Sequence, residues 1–165
     1  MTEQGQTYAA FIETELKTER ERRATFDARG QALVTTSGAL FTLLAGVAAL
    51  VKTPATTRLP SAVLPMGTVT LLLFVGAAIC GAIAGWNRWY AVAAADTLAV
   101  MVSADHWIDD EVDARNYLST LAVETLRTLR TSTDLKAKWV GIGLVIQVLA
   151  LVALGVTVFI TVLHG

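Results

Sequence analysis

Apolar positions along this chain follow two patterns. Three stretches carry no charge at all: Ala32–Val51 (ALVTTSGALFTLLAGVAALV), Ala62–Trp86 (AVLPMGTVTLLLFVGAAICGAIAGW) and Trp139–Leu163 (WVGIGLVIQVLALVALGVTVFITVL). A bilayer core about 30 Å thick is crossed by about 20 apolar residues in helical form, so each stretch is long enough to be a span. Elsewhere the apolar residues are spaced for one helix face. Residues 3–31 place Tyr8, Phe11, Ile12 and Leu16 on one side, with Lys17–Arg23 nearly all charged and Lys17/Glu21 and Glu19/Arg23 at i,i+4 spacing. Residues 109–138 place Val112, Leu118, Leu121, Ala122, Leu126 and Leu129 together.

These patterns predict an all-α membrane protein with three transmembrane helices extended into a cytoplasmic helical bundle. Residues 1–31 form a cytoplasmic helix that continues through Gly30 into the first span. Residues 32–86 form a transmembrane hairpin of spans 32–51 and 62–86. Residues 87–138 supply further cytoplasmic helices, and residues 139–165 hold the third span. Tyr90–Val102 is apolar but too short to cross a bilayer, and reads as a cytoplasmic extension of the second helix. Ser103–Asp113 reads as a break followed by an acidic helix start, after which the helix runs unbroken into the third span. The three cytoplasmic parts would measure roughly 44, 26 and 45 Å at 1.5 Å per residue. The prolines, Pro54, Pro60 and Pro65, lie in or next to the short loop between the first two spans. Because the first run starts at residue 32, behind a charged segment, it does not read as a signal peptide.

Charge sets the orientation. Lys17, Arg20, Arg22, Arg23 and Arg29 precede the first span, and Arg88, Arg115, Arg127, Arg130, Lys136 and Lys138 lie between the second and third. The loop between the first two carries Lys52 and Arg58 only, and the tail after the third has no Lys or Arg. The positive-inside rule therefore puts the N-terminus in the cytoplasm and the C-terminus outside. Trp86, Trp89, Tyr90 and Trp139 then fall at the cytoplasmic interface, where aromatic rings with a polar edge are favoured. Composition fits: 54% of residues are hydrophobic, 16% are charged, and the net charge is −1. That balance excludes a disordered chain and gives no bulk positive charge for nucleic acid. The single cysteine, Cys80, excludes an internal disulfide framework and any multi-cysteine metal site.

Candidate chemistry is sparse. Thr35, Thr36, Ser37 and Gly38 could line a pore or simply let helices approach and bond across. Gly81 and Gly85 match G-x-x-x-G, a close-packing face for another span of this chain or a second copy. Gln147, deep in the third run on an i,i+4 stripe with Gly143, Leu151 and Gly155, needs a partner in lipid, either a residue of another helix or the water of a lumen. Arg127, Arg130, Lys136 and Lys138 suit anionic headgroups, and the first three form a candidate anionic-nucleotide site. Asp105, His106, Asp109, Asp110, Glu111 and Asp113 form an acidic cluster whose carboxylates read as helix caps rather than a metal site. No nucleophile–base pair or glycine-rich phosphate loop is present, so we expect neither an enzyme nor a cofactor or metal.

The segment Glu19–Ala39 (ERERRATFDARGQALVTTSGA) resembles the opening of the Pycsar transmembrane effectors: a Glu/Arg-rich helix, a small residue, then a span starting Leu/Val-Thr-Thr/Ser-Gly-Ala. Leu129–Lys136 (LRTSTDLK) is similar to that family's approach to its last span, with Thr133 where its pattern has Asn. The resemblance implies a membrane-disrupting effector of an antiphage system in the bacterial inner membrane. Such a protein would act as a homo-oligomer in the lipid bilayer, in response to a cyclic pyrimidine mononucleotide made by a partner cyclase. The residues alone leave a second class open, a non-enzymatic membrane anchor or adaptor that docks a cytoplasmic protein.

Overall fold

A computed structural model describes residues 3–51, 63–87, 89–101, 103 and 110–164. The regular structure among them is helical: α1 (Glu3–Val51), α2 (Val63–Gly85), α3 (Ala95–Met101) and α4 (Glu111–His164). The loop between the first two predicted spans, with Pro54 and Pro60, and Asp105, His106 and Asp109 of the acidic cluster lie outside the described residues.

The long helices follow from what the chain omits. Neither α1 nor α4 contains a proline, and Gly30 leaves α1 uninterrupted, as the sequence predicts. Most of their threonines offer no competing backbone path, because the hydroxyl bonds back into its own helix. Thr14, Thr18, Thr25 and Thr42 in α1, and Thr120, Thr133 and Thr157 in α4, each donate to the carbonyl four residues earlier. At the start of α2, Pro65 occupies the first turn, where no intrahelical N–H is needed. The start of α4 is capped by Asp110. Its Oδ1 accepts from the Glu111 N–H at 2.8 Å, and its carbonyl accepts from the N–H groups of Asp113 and Ala114. Glu111 and Asp113 add negative charge to that first turn. This is the acidic helix start expected from the sequence.

The cytoplasmic extension of the second helix is not there. Helix α2 ends at Gly85, with a tight closing bond from the Trp86 N–H to the Ile83 carbonyl, and residues 89–94 are not helical. Glycine is a weak helix former, and the backbone and side chains beyond it have other partners. The Ala91 N–H donates to Thr128 Oγ1 at 3.1 Å, and Asn87 Oδ1 accepts from Arg23 Nη2 at 3.2 Å. Only the seven residues of α3 resume a helix.

Two compact units result. Unit 1 comprises residues 1–25 and 87–135, and unit 2 comprises residues 26–86 and 136–165. Within unit 1, α1 and α4 run parallel: Glu15 pairs with Arg130 and, further along both helices, Arg22 pairs with Asp134. Within unit 2, α1 and α4 are again parallel, since Asp27 meets Lys136 and Thr36 meets Gln147. There α2 runs against both. Gly76 faces Ile146 while Ala77 and Cys80 face Gly143, and Gly30 faces Ala84 and Gly85 while Val34 faces Gly81. The unit 2 core gathers Leu33, Phe74, Ala77, Cys80, Ala84, Val140 and Ala150, with Phe26 and Trp139 packed against its Leu33–Ala84–Val140 cluster.

Two helices are long and apolar enough to cross a membrane: Pro65–Gly85, and α4 within Glu111–Ile160, with mean hydropathies of 2.2 and 2.6 in their most apolar stretches. Only 28% and 11% of those stretches are buried within the chain. A helix at the heart of a soluble protein would be mostly covered. These instead present Leu72, Ile79, Val145, Val148 and Val152 outward.

Candidate functional site

The charged face of unit 1 is a network rather than an open binding surface. Arg130 Nη2 lies 2.5 Å from Glu15 Oε2, and its Nε lies 3.9 Å from Glu19 Oε2. Glu19 also reaches Arg22 at 3.3 Å, and Arg22 reaches Asp134 at 2.8 Å. Glu19 is the central member: its side chain is only 7% exposed, and Arg22 and Arg130 both reach it. The hydrogen bond to Asp134 raises the Arg22 pKa above its ordinary value; burial opposes it, and the attraction of Glu19 adds to it. The exposed pairs contribute about 0–1 kcal/mol each. What they fix is the register of α1 against α4.

This arrangement separates the three residues of the expected anionic-ligand set, Arg127, Arg130 and Lys136. Arg130 is engaged by two carboxylates. Lys136 belongs to unit 2, is 1% exposed, and bonds through Nζ to Asp27 Oδ1. A phosphate at either cation would have to displace a carboxylate already there. Arg127 is exposed, and it makes no ion pair among the described residues. Sequence spacing grouped these three by proximity to the third span; it carried no information on which cations already had partners.

Thr35 and Thr36 of the first predicted span bond within their own helix. Thr35 Oγ1 donates to the Gln31 carbonyl and Thr36 Oγ1 to the Ala32 carbonyl. Thr36 Oγ1 also accepts from Gln147 Nε2 at 2.8 Å. The amide within the apolar run of α4 therefore has an interhelical partner. Ser37 is 1% exposed and its Oγ has no hydrogen-bond partner. Gly38 is exposed, and a Cβ there would meet nothing.

The G-x-x-x-G pair divides. A Cβ on Gly81 would lie 2.7 Å from the Gly30 carbonyl oxygen and 3.0 Å from Leu33 Cβ, whereas one on Gly85 would meet nothing within 4 Å. Gly81 therefore belongs to a contact with this chain's own α1. Two further glycines share its role, one that the sequence read only as a possible kink and one that it placed on the Gln147 stripe. Gly30 is the other side of the same contact, and a Cβ on Gly143 would lie 3.0 Å from both Cys80 Cβ and Leu33 Cδ1. Their signal was absent from spacing within one helix, because each answers a residue on a different helix.

Unit 1 also holds a groove of about 310 Å³ between the first turns of α1 and α4. Ile12, Leu118 and Ala122 give it apolar walls, and Glu13, Glu111, Arg115 and Ser119 give it polar ones. Arg115 is paired with Glu111 at 2.5 Å. Among the described residues, no group of three or more His, Cys, Asp or Glu side chains is placed to hold a metal ion.

No protein-family model, curated protein or solved structure matches this chain.

Proposed function

We propose that the chain is a three-span protein of a bacterial inner membrane, N-terminus inside and C-terminus outside. In this reading it is a non-enzymatic, homo-oligomeric effector that permeabilises the bilayer when a cyclic pyrimidine mononucleotide signals phage infection. The observation that carries this reading is the division of α1 and α4. Each is one uninterrupted helix whose first half bears the ion network of unit 1 and whose second half carries a long uncharged run that packs in unit 2. A signal received by the charged halves has two continuous helices to act through.

The packing of unit 2 supports the third span. Ala32–Gly46 carries no charge, lies parallel to α4 and antiparallel to α2, and bonds its threonine hydroxyls internally. If α2 and α4 cross the bilayer, this segment lies beside them at the same depth. Ligand sensing and phage defence rest on the resemblance of Glu19–Ala39 to the Pycsar effectors. Because Arg130 and Lys136 are engaged by carboxylates, the nucleotide would be received elsewhere in unit 1. A second reading, a membrane adaptor, is favoured by one feature: the groove near Ile12 and Leu118 is mainly apolar, which suits a protein side chain better than a phosphate.

Dye-loaded liposomes carrying the purified protein separate the two. The effector reading expects release with cyclic CMP or cyclic UMP and little with cyclic AMP. Folded, inserted protein that releases no dye with any of them would transfer the conclusion to the adaptor.

A further inference from the structure

The non-helical stretch after α2 shows an arrangement that the proposed activity does not use. Trp89 is 99% exposed, while its neighbour Tyr90 is covered by Arg23, whose Cζ stands 4.6 Å from the ring centroid. The same guanidinium donates through Nη2 to Asn87 Oδ1, and the Ala91 N–H is held by Thr128 Oγ1. Residues on both sides of Trp89 are therefore tied to α1 and α4 of unit 1, Asn87 by its side chain and Ala91 by its backbone, and the indole between them is turned away from the chain. Val92 and Leu98 are also exposed, at 64% and 51%, and between Trp89 and Met101 the only charge is Asp96. A surface of this kind is poorly suited to water.

We propose that Trp89 is a lipid-contact residue, seated in the headgroup layer of the bilayer, and that Arg23 is the clamp that aims it there. This rests on the membrane reading above. Three observations select a lipid surface as the occupant. Trp89 follows the last residue of an apolar, membrane-length helix by four positions, so whatever path the backbone takes it lies within about 14 Å of that helix end. An indole has an apolar body and one N–H donor, which is the chemistry favoured at the boundary between acyl chains and headgroups. The exposed neighbours Val92 and Leu98 are aliphatic and offer no hydrogen bond. Tyr90, which the sequence grouped with Trp89 at this interface, is instead part of the clamp: its ring is the platform for Arg23.

The test is tryptophan fluorescence of the full chain in liposomes whose lipids carry bromine at shallow or deep acyl positions. Trp86, Trp107 and Trp139 are replaced by Phe, leaving Trp89 alone. A reference protein, with Trp89 also replaced by Phe, carries Leu149→Trp, a position 53% exposed in the middle of the apolar part of α4. We expect Trp89 emission to be blue-shifted and quenched more by shallow than by deep bromines, and the reference to be quenched more by deep ones. Quenching of the reference with Trp89 still emitting as a hydrated indole would overturn this inference and leave the membrane reading standing. Lack of quenching in both would overturn the two together. Adding Arg23→Ala should reduce the shallow preference of Trp89, and an unchanged profile would remove the clamp. Should the Phe substitutions unfold the protein, an environment-sensitive dye on Trp89→Cys in a Cys80→Ala background gives the same reading. Blue-shifted emission in liposomes supports the contact, and hydrated emission contradicts it.

Discussion

Replacing Asp27 with alanine is expected to destabilise the protein by about 3 kcal/mol, at the lower end of the range for breaking one side of a buried ion pair. Lys136 is 1% exposed and Asp27 is its partner, so the substitution leaves an ammonium out of water with no counter-charge. The low end applies because the Asp27 side chain is itself 39% exposed, and water entering the vacated space would hydrate part of the orphaned charge. The reverse substitution differs in kind. Lys136→Met keeps an unbranched side chain of similar length in the same space and leaves behind a carboxylate that already touches solvent. Its cost should be about 1 kcal/mol or less, the range for a pair with one partner in water. The double variant Asp27→Ala, Lys136→Met should recover most of the loss, because no buried charge remains. Unfolding in detergent micelles followed by far-ultraviolet circular dichroism measures all three. Equal losses for the two single variants would show that burial of Lys136 does not set the asymmetry.

The second large effect lies at Gly81. Gly81→Ala puts a methyl carbon 2.7 Å from the backbone oxygen of Gly30, and neither atom is the end of a flexible side chain. The α1–α2 contact must open, at about 1–3 kcal/mol for overpacking, and Gly81→Ile should exceed that because Leu33 Cβ and Val34 Cγ2 also stand close, at 3.0 and 3.1 Å. Gly85→Ala is the control. Its new methyl meets nothing, and replacing a helical glycine by alanine gains up to about 1 kcal/mol of propensity. Melting temperatures of the three variants in micelles should fall for both Gly81 substitutions and hold or rise for Gly85. Equal responses at the two glycines would contradict the packing described for unit 2.

These two sites show what the chain made legible. Length and absence of charge identified the apolar runs, and the lack of internal proline identified α1 and α4 as continuous helices. Both are properties of one segment at a time. The Asp27–Lys136 bond was hidden because it joins residues 109 positions apart, and the sequence read a charge near the end of an apolar run as headgroup-facing. A trace of it was present: opposite charges lie a few residues before the uncharged run on each of two helices. For the same reason unit 2 starts at Phe26 and Lys136, rather than at Ala32 and Trp139, where charge disappears. A neutralised pair travels with the apolar part of the chain. The inequality of Gly81 and Gly85 was hidden because their spacing describes one helix face and says nothing of how far a neighbouring helix extends along it. The end of α2 at Gly85 was misread because Tyr90–Val102 is apolar enough for a helix, while its backbone and ring partners, Thr128 and Arg23, lie on other helices.

The central claim is that three segments cross the bilayer, so that the two ends of the chain face opposite sides. The most direct measurement is labelling by a membrane-impermeant maleimide in a Cys80→Ala background, with single cysteines at Glu13 in unit 1 and at Gly165. The account predicts that Gly165→Cys is labelled in spheroplasts with an intact inner membrane, and Glu13→Cys only after that membrane is permeabilised. Labelling of both from the same side would mean an even number of crossings and would contradict it.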